Sequence, residues 1–237
     1  MSDAIRLLEW DSEFFGFPIA QVEAQRVDQA TLDAVEQACR AQEIRCAYLL
    51  LESDDLRGAA LAQAAGFVLR DVRITLERML SRDDPVYDGA EHGIAPARPD
   101  QRAALEALAR ESFSQGRFAT DPNFPPGAAG ELYAAFVRRG FESAPRRVVL
   151  TDPAAQSFLV YDGGGEDPNL EVMAVHADAR GRGLANALFS TATSAVAQAG
   201  HERVWTVTQG ANVVTQRVHQ RYGFRTRAVD LWLHRWF

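Results

Sequence analysis

The stretch VHADARGRGLANALF, residues 175–189, decides how the rest of the chain is interpreted. Its pattern predicts an apolar strand, a short turn and a helix that begins after Gly183. The first amide groups of such a helix have no acceptor inside it, so its start attracts anions. Gly181 and Gly183 let the backbone approach a phosphate that a Cβ would push away, and Arg180 and Arg182 add positive charge. The same residues also fit a solvated basic turn that binds nothing.

Composition narrows the class of protein. The chain has 237 residues, of which 47% are hydrophobic, and a net charge of −7, which indicates a globular protein with a sizeable core. No segment concentrates basic residues, so we expect no nucleic-acid partner. Cys39 and Cys46 lack the neighbouring ligands of a metal site and are expected to be buried. The chain shows neither a signal-peptide pattern nor a long uncharged apolar window, so we expect a cytoplasmic protein without membrane contact.

The rest of the chain shows two blocks of alternating strand and helix patterns. Between them lies the segment RDDPVYDGAEHG at 82–93, which is rich in Asp, Gly and Pro and has no periodicity. We therefore predict an α/β domain at 1–80, a linker at 81–93 and a second domain at 94–237.

Two motifs in the second block resemble a known family. Arg180-x-x-Gly183-x-Ala185, after a strand that ends in Met-Ala-Val, resembles the acetyl-CoA signature of the GNAT N-acyltransferase superfamily. NVVTQRVHQRYGF at 212–224 resembles the second signature of that superfamily, one strand further along. The resemblance implies a GNAT acyltransferase fold, in which helices flank a mixed, mostly antiparallel central sheet. It also implies that 94–237 is the catalytic acetyl-CoA-binding domain and 1–80 a smaller, partial GNAT-like α/β domain.

The resemblance assigns acetyl-CoA as cosubstrate, with no metal. The separated end of the strand at 170–175 would pair with the pantetheine arm, with the N–H near Ala174 or Val175 facing the thioester oxygen. Asn212 would contact the CoA arm or a bound water. The residues implied at the CoA diphosphate are Arg180, Gly181, Arg182, Gly183 and Ala185. Such a site favours direct attack of a neutral amine on the thioester.

Proton transfer is where the sequence departs from the superfamily. Many members have a tyrosine acid seven residues after the asparagine, but here that position holds His219. Imidazole titrates near neutral pH, so His219 is a candidate for the same acid role, or else a helix residue with a structural hydrogen bond. Glu171, on the strand before the turn, is a candidate base acting through water, or else an edge charge.

The acceptor side carries a narrower resemblance. WDSEFFG at 10–16 and GRFATDPNFPPGAAGELY at 116–133 resemble the TDP-fucosamine acetyltransferase family, which acetylates the amine of a TDP-linked 4-amino-4,6-dideoxysugar. The resemblance implies a small-molecule amine acceptor of the nucleotide-sugar type. The irregular loop at 112–130 is longer than is usual in compact domains unless it binds something.

Seven residues are candidates for contacting that acceptor. Aromatic side chains suit the flat face of a base or sugar, an arginine suits a phosphate, and a carboxylate suits an amine or hydroxyl. Core packing and turn formation are the alternative roles. The candidates are Trp10, Phe14, Phe15, Arg117, Phe118, Asp121 and Tyr133.

Other functions also fit the sequence. The acceptor is alternatively another primary amine, such as a protein N-terminus, an amino acid, a polyamine or an antibiotic. Because His219 replaces the usual tyrosine, a non-catalytic CoA-binding module is a third alternative. The aromatic segment VDLWLHRWF at 229–237 fits a final sheet strand and also the edge of a homodimer.

Overall fold

The computed structural model describes residues 4–81, 87, 89–113 and 116–237. Residues 82–86 and 88 of the predicted linker, and 114–115 of the long loop, lie outside the described residues. The described strands are β1 (Ile5–Leu7), β2 (Ile19–Val22), β3 (Cys46–Glu52), β4 (Val68–Met79), β5 (Ala95–Pro96), β6 (Arg147–Thr151), β7 (Ser157–Asp162), β8 (Asn169–Val175), β9 (Arg203–Gln209) and β10 (Arg225–Trp236). The described α-helices are α1 (Glu9–Phe15), α2 (Gln29–Ala41), α3 (Leu56–Ala64), α4 (Arg102–Ser112), α5 (Arg117–Thr120), α6 (Ala128–Glu142), α7 (Leu184–Gln198) and α8 (Val213–Arg221).

All ten strands join one sheet in the order β1-β2-β3-β10-β4-β9-β8-β7-β6-β5. Two neighbouring pairs are parallel, β2 with β3 and β8 with β9, and the other pairs are antiparallel. The predicted mixed, mostly antiparallel sheet flanked by helices is confirmed.

The sheet does not divide at the predicted domain boundary. β10, the last described strand, lies between β3 and β4 of the first block, so that Trp232 pairs with Leu50 on one side and with Asp71 on the other. β4 in turn pairs with β9 of the second block. The two predicted domains therefore share strands of a single sheet.

Helices cover both faces of the sheet. α2 and α3 pack their apolar residues against β3, and α7 packs against β7 and β8. α4 and α6 cover the opposite face of β7 and β8. Both cysteines are free and buried as predicted, and burial raises the pKa of the Cys39 thiol to about 11. No helix in the described part of the chain has the length and apolar character needed to cross a membrane.

WDSEFFG forms most of the short helix α1, where the sequence predicted a turn with core residues. The helix ends at Gly16, whose φ of 80° favours glycine. The Phe15 ring is buried and packs against Phe118 and Phe124, at centroid distances of 5.4 and 4.6 Å. α1 therefore joins the first block to the long loop of the second.

β8 and β9 separate soon after they meet. Their parallel pairing covers Asn169 with Trp205 and Leu170 with Thr206, and no further residues pair. On the other side of β8, Val172 pairs with Val160 and Leu170 with Tyr161, so Glu171 is an unpaired bulge residue. A bulge bends its strand, and here it lies where β8 turns away from β9. The gap between the two strands opens a cavity.

Candidate active site

The cavity between the separated strands has a volume of about 430 Å³. β8 contributes Glu171 and Met173 to its wall, and α8 contributes His219. β4 contributes Asp71 and β10 contributes Trp232, so residues of both predicted blocks meet there. The sheet topology explains this meeting, because β4 is the neighbour of β9.

The free edge of β8 presents backbone groups to this gap. The amide of His176 donates to the carbonyl of Gln156 at 2.8 Å, next to the β7–β8 ladder. Hydrogen-bonded pairs alternate along an antiparallel ladder, so the amide of Ala174 also points to β7. The amides of Met173 and Val175 therefore point to the side that β9 has left. Of the two predicted positions, Val175 has the amide that faces the gap.

The predicted phosphate loop adopts the expected geometry. Gly181 and Gly183 have φ values of 77° and 83°, in the region that favours glycine. α7 begins directly after Gly183, and no side chain caps it. The amides of its first turn, which includes Ala185, thus have no intrahelical acceptor. Arg180 and Arg182 are both exposed beside them.

His92 supports this loop from behind. Its Nε2–H donates to the carbonyl oxygen of Arg182 at 3.0 Å. A Cβ on Gly183 would lie 2.7 Å from this Nε2, whereas a Cβ on Gly181 would meet nothing within 4 Å. A Cβ at Gly183 would therefore meet His92, while the contact of either glycine with a phosphate stays a prediction. Sequence reasoning missed His92, which lies ninety residues before the loop.

Asn212 has a structural role at the cavity wall. Its Oδ1 accepts a hydrogen bond from the amide of Thr215 at 3.2 Å, and so caps α8. The residue also lines the cavity. Contact with the CoA arm stays a prediction.

His219 is buried at the inner side of α8. Its Nδ1–H donates to the carbonyl of Thr215 at 2.7 Å, and its ring packs edge-on against Phe189 and Phe224. Burial lowers the pKa of His219, so the neutral ring is favoured. In that tautomer Nε2 carries a lone pair and no proton. This geometry suits a proton acceptor and disagrees with the predicted acid role.

Glu171 faces the cavity in an ion pair. Its Oε1 accepts a hydrogen bond from Arg147 Nε at 2.7 Å, and both side chains are largely buried. The paired carboxylate is held at the cavity wall by the bulge of β8. The alternative of a solvated edge charge does not fit this placement.

Arg117 lies at the acceptor side of the cavity, inside a box of three aromatic rings. The guanidinium carbon is 4.2 Å from the ring centres of Tyr48 and Phe118 and 4.0 Å from that of Trp232. Its Nη1 lies 3.1 Å from His234 Nε2. Cation–π contacts of this kind stabilise a buried guanidinium. Tyr133 also lines the cavity and stacks on Phe113 at 3.9 Å.

Asp121 lines the neighbouring groove of about 1030 Å³ and not this cavity, and its contact with an amine or sugar hydroxyl stays a prediction. Its side chain is fully buried, and one oxygen accepts hydrogen bonds from His234 Nδ1 at 2.8 Å and from Trp236 Nε1 at 3.0 Å. Arg70 Nε lies 3.2 Å from the same oxygen. Burial alone would raise the pKa of Asp121, but the hydrogen bonds from His234 and Trp236 hold it well below its usual value.

The predicted aromatic wall lies next to the cavity rather than in it. Phe14 and Phe15 line the groove of about 1030 Å³, and Phe118 lines both spaces. Trp10 lines neither, and instead stacks between Phe14 and Phe136 at 5.3 and 6.1 Å. Phe113 also lines both, so the groove and the cavity lie side by side.

Sequence reasoning also missed two residues of β4. Asp71 and Arg73 alternate along the strand and both line the cavity. Burial raises the pKa of Asp71 and lowers that of Arg73, and Arg73 Nε has no hydrogen-bond partner among the described residues. In the sequence, Asp71 and Arg73 stand two residues apart in a long strand, which places both side chains on the same face. The sequence did not show which strands lie beside β4, so this face could not be assigned to the cavity.

The fold and the site can be compared with known proteins. Residues 148–224 match the model of the Acetyltransferase (GNAT) family. The spore coat polysaccharide biosynthesis protein SpsD of Bacillus subtilis is 25% identical over 145 residues, which cover 60% of this chain and 50% of that protein. The match therefore spans half the length of this curated relative.

Solved structures share the fold across nearly the whole chain. A GCN5-related N-acetyltransferase from Sphaerobacter thermophilus has a TM-score of 0.67 at 13% identity, covering 98% of this chain and 76% of that one. A tandem GNAT protein from the clavulanic acid biosynthesis pathway has a TM-score of 0.58 at 16% identity, covering 92% and 75%. Residues 148–224 are therefore similar to the GNAT acetyltransferase family, and the chain as a whole shares the fold of these solved structures.

Proposed function

We propose that this chain transfers the acetyl group of acetyl-CoA to the amine of a nucleotide-linked amino sugar, of the TDP-4-amino-4,6-dideoxyhexose type. The observation that carries the proposal is that two spaces lie side by side. The cavity between β8 and β9 and the aromatic groove share Phe113 and Phe118 as lining residues. A thioester would enter from the strand gap, and an extended acceptor with a flat base would fill the groove.

The donor side follows from the backbone. The amides at the start of α7 would hold the CoA diphosphate, and Arg180 and Arg182 would add charge. The free edge of β8 would pair with the pantetheine arm as an added strand does. The amide of Val175 would then donate to the thioester oxygen and stabilise the negative charge that develops on it.

The chemistry needs one proton acceptor. The neutral amine attacks the carbonyl carbon, a C–N bond forms, and the C–S bond breaks to release the CoA thiolate. The nitrogen loses a proton, which His219 Nε2 would accept directly or through water, and the thiolate finally takes up a proton. Glu171 is the second candidate acceptor, also through water.

The acceptor side rests on the aromatic groove and Arg117. Phe14, Phe15 and Phe118 would flank the base or sugar, and Tyr133 would close the cavity. The likeness to a polysaccharide biosynthesis protein supports a sugar acceptor. A different primary amine is a second candidate, since the carboxylates of Asp71 and Glu171 in the cavity wall would attract any ammonium group.

The experiment is a thiol-release assay with acetyl-CoA and a TDP-4-amino-4,6-dideoxyhexose. Peptides, amino acids and polyamines are assayed beside it, and acetyl-CoA binding is measured on the same preparation. We expect turnover with the nucleotide sugar and none with the other amines. Turnover with another amine instead would replace the acceptor. Acetyl-CoA binding without any turnover would favour a non-catalytic module.

A further inference from the structure

Most hydrogen-bond donors of the Arg117 side chain are unused. Among the described residues, His234 is its one hydrogen-bond partner, and no carboxylate forms an ion pair with it. The three aromatic rings of the box surround the guanidinium, and Arg117 as a whole is half-buried. A partly desolvated cation with free N–H groups is stabilised when a bound group accepts its hydrogen bonds. Arg117 lines the cavity, so those groups are within reach of a bound molecule.

The bond from Arg117 to His234 has a defined direction. His234 is fully buried, and its Nδ1 faces the Asp121 carboxylate at 2.8 Å. A carboxylate can only accept, so the proton of the neutral ring lies on Nδ1. Nε2 is then a lone pair that accepts a hydrogen bond from Arg117 Nη1 at 3.1 Å. Asp121 thus orients His234, and His234 orients Arg117.

The acidic neighbours of Arg117 do not neutralise it by direct contact. Asp11 and Asp71 are close enough for their charges to be felt, yet neither forms an ion pair with the guanidinium. Burial raises the pKa of both carboxyl groups, and Asp71 accepts its hydrogen bond from the main-chain N–H of Arg117 and not from the guanidinium. Asp121 itself is occupied by His234, Trp236 and the guanidinium of Arg70.

We propose that Asp121 and His234 are positioning residues that aim Arg117 at an anionic group of the acceptor, a phosphate or a carboxylate. The site then selects amines that carry such an anion and disfavours polyamines, which carry only positive charge. A guanidinium fixed in one orientation binds oxyanions through two parallel hydrogen bonds, which a mobile one does less well. The selection among amine acceptors rests on the proposed acetyltransferase function. The binding of an anion at Arg117 does not depend on that function.

The test measures binding to the full chain without turnover. Inorganic pyrophosphate, TDP, glycine and uncharged thymidine are titrated by calorimetry into the wild type and three variants. His234→Leu removes the acceptor of the Arg117 bond. His234→Gln retains it, because an amide can donate to Asp121 and accept from Arg117. Arg117→Gln removes the cation and leaves the Asp121–His234 bond in place, so the test survives if His234→Leu does not fold.

We expect the wild type to bind pyrophosphate and TDP, and His234→Leu and Arg117→Gln to weaken both by roughly 10- to 100-fold. His234→Gln should restore affinity to within about threefold, and thymidine binding should be equal in all four proteins. In assays with an anionic acceptor, the same two variants should raise its KM and leave the KM for acetyl-CoA unchanged.

Several outcomes decide the matter. Equal pyrophosphate and TDP affinity in the wild type and Arg117→Gln would overturn the proposal, as would a wild type that binds none of the anions. Tighter binding of glycine than of pyrophosphate, lost in Arg117→Gln, would support the anion site and identify the anion as a carboxylate. Arg117-dependent TDP binding without acetyl transfer would uphold the positioning and refute only the proposed function.

Discussion

Two histidines of the chain are buried and carry a proton on Nδ1. They differ in what contacts their other ring nitrogen, Nε2. In His219 and in His234, Nδ1–H donates to a protein oxygen, so Nε2 is an acceptor. In His234, Nε2 accepts a hydrogen bond from Arg117. In His219 no described residue does, and the ring borders the cavity. One histidine is therefore fixed in a structural chain, whereas the other can receive a proton from a substrate.

A substitution at His219 separates catalysis from packing. His219→Gln should lower kcat by about 100-fold or more and leave the KM for acetyl-CoA unchanged, because it removes a proton acceptor and little ground-state contact. The matched control is Tyr222→Phe, which keeps the ring stacked on Phe189 and removes only a hydroxyl. Steady-state kinetics of both variants provides the measurement. Equal losses in both would indicate that the aromatic packing around α8 matters and proton transfer does not.

The pH dependence of kcat distinguishes a base from an acid at the same residue. Burial lowers the pKa of His219, so a base there keeps its activity at neutral pH and loses it only below the ordinary histidine value. An acid would show the opposite sign, with kcat falling as the pH rises. The acidic limb should vanish in His219→Gln.

At the residue scale, local motifs predicted more than isolated side chains did. The turn and helix start at 180–185 could be predicted because their geometry depends on neighbours within a few residues. The bond of Asp121 to His234 could not be predicted, because the two residues lie 113 positions apart in sequence. The role of an acidic side chain depends on which donors surround it, and those donors come from tertiary structure.

At the element scale, the bulge at Glu171 changes the face of the sheet on which the residues on either side of it pack. Leu170 and Met173 pack into the cluster beneath α7, while Val172 and Ala174 pack with α4 and α6. Regular alternation would put Leu170 on the face of Val172. The pattern predicted the strand correctly, but an inserted residue leaves no distinct signal in a sequence whose flanking residues are all apolar.

The phosphate loop and the segment that contains His92 should act as one unit. His92→Ala should raise the KM for acetyl-CoA by about 3- to 10-fold, since the loop loses the hydrogen bond to the Arg182 carbonyl, while kcat stays the same. His201→Ala is the matched control, because His201 contacts the Gly163 carbonyl at 3.3 Å, away from the loop. Kinetics at varied acetyl-CoA concentration tests this. Unchanged KM values in both variants would show that the loop keeps its shape without His92.

At the scale of the whole molecule, periodicity predicted the elements and the family motifs predicted the sheet type, but neither predicted the strand order. β4 and β10 are both long, and each has one polar and one apolar side, which suits an interior position in many arrangements. The pairing of β4 with β9 and β10 explains why the first block contributes to the cavity wall. The division at 81–93 was predicted from the composition of the chain. The strands on both sides of it are nevertheless hydrogen-bonded into one sheet.

The stability of the whole sheet should depend on pH through His234. Burial, together with the nearby charges of Arg117 and Arg70, lowers its pKa to about 4, although the bond to Asp121 acts in the opposite direction. The unfolded chain, with an ordinary pKa near 6.5, binds the proton more readily, so the free energy of unfolding should fall as the pH drops from about 6.5 to about 4. The two pKa values correspond to on the order of 3 kcal/mol.

Urea unfolding at a series of pH values between about 4 and 7 measures this effect. His234→Gln should flatten the slope, because glutamine does not titrate. His219 contributes in the same direction, so a smaller slope should persist in that variant. Identical slopes in the wild type and in His234→Gln would place the acid sensitivity elsewhere.

The position of β10 also has a consequence for how the protein is made. A ribosome emits β3 and β4 well before residues 225–236, yet these two strands become neighbours of β10 and not of each other. Until that last strand emerges, both keep an unpaired edge, which is the kind of surface that chaperones shield and nascent chains aggregate through. The same late strand delivers His234 to Asp121, so the hydrogen-bonded chain from Asp121 through His234 to Arg117 forms only after residues 225–236 have been made.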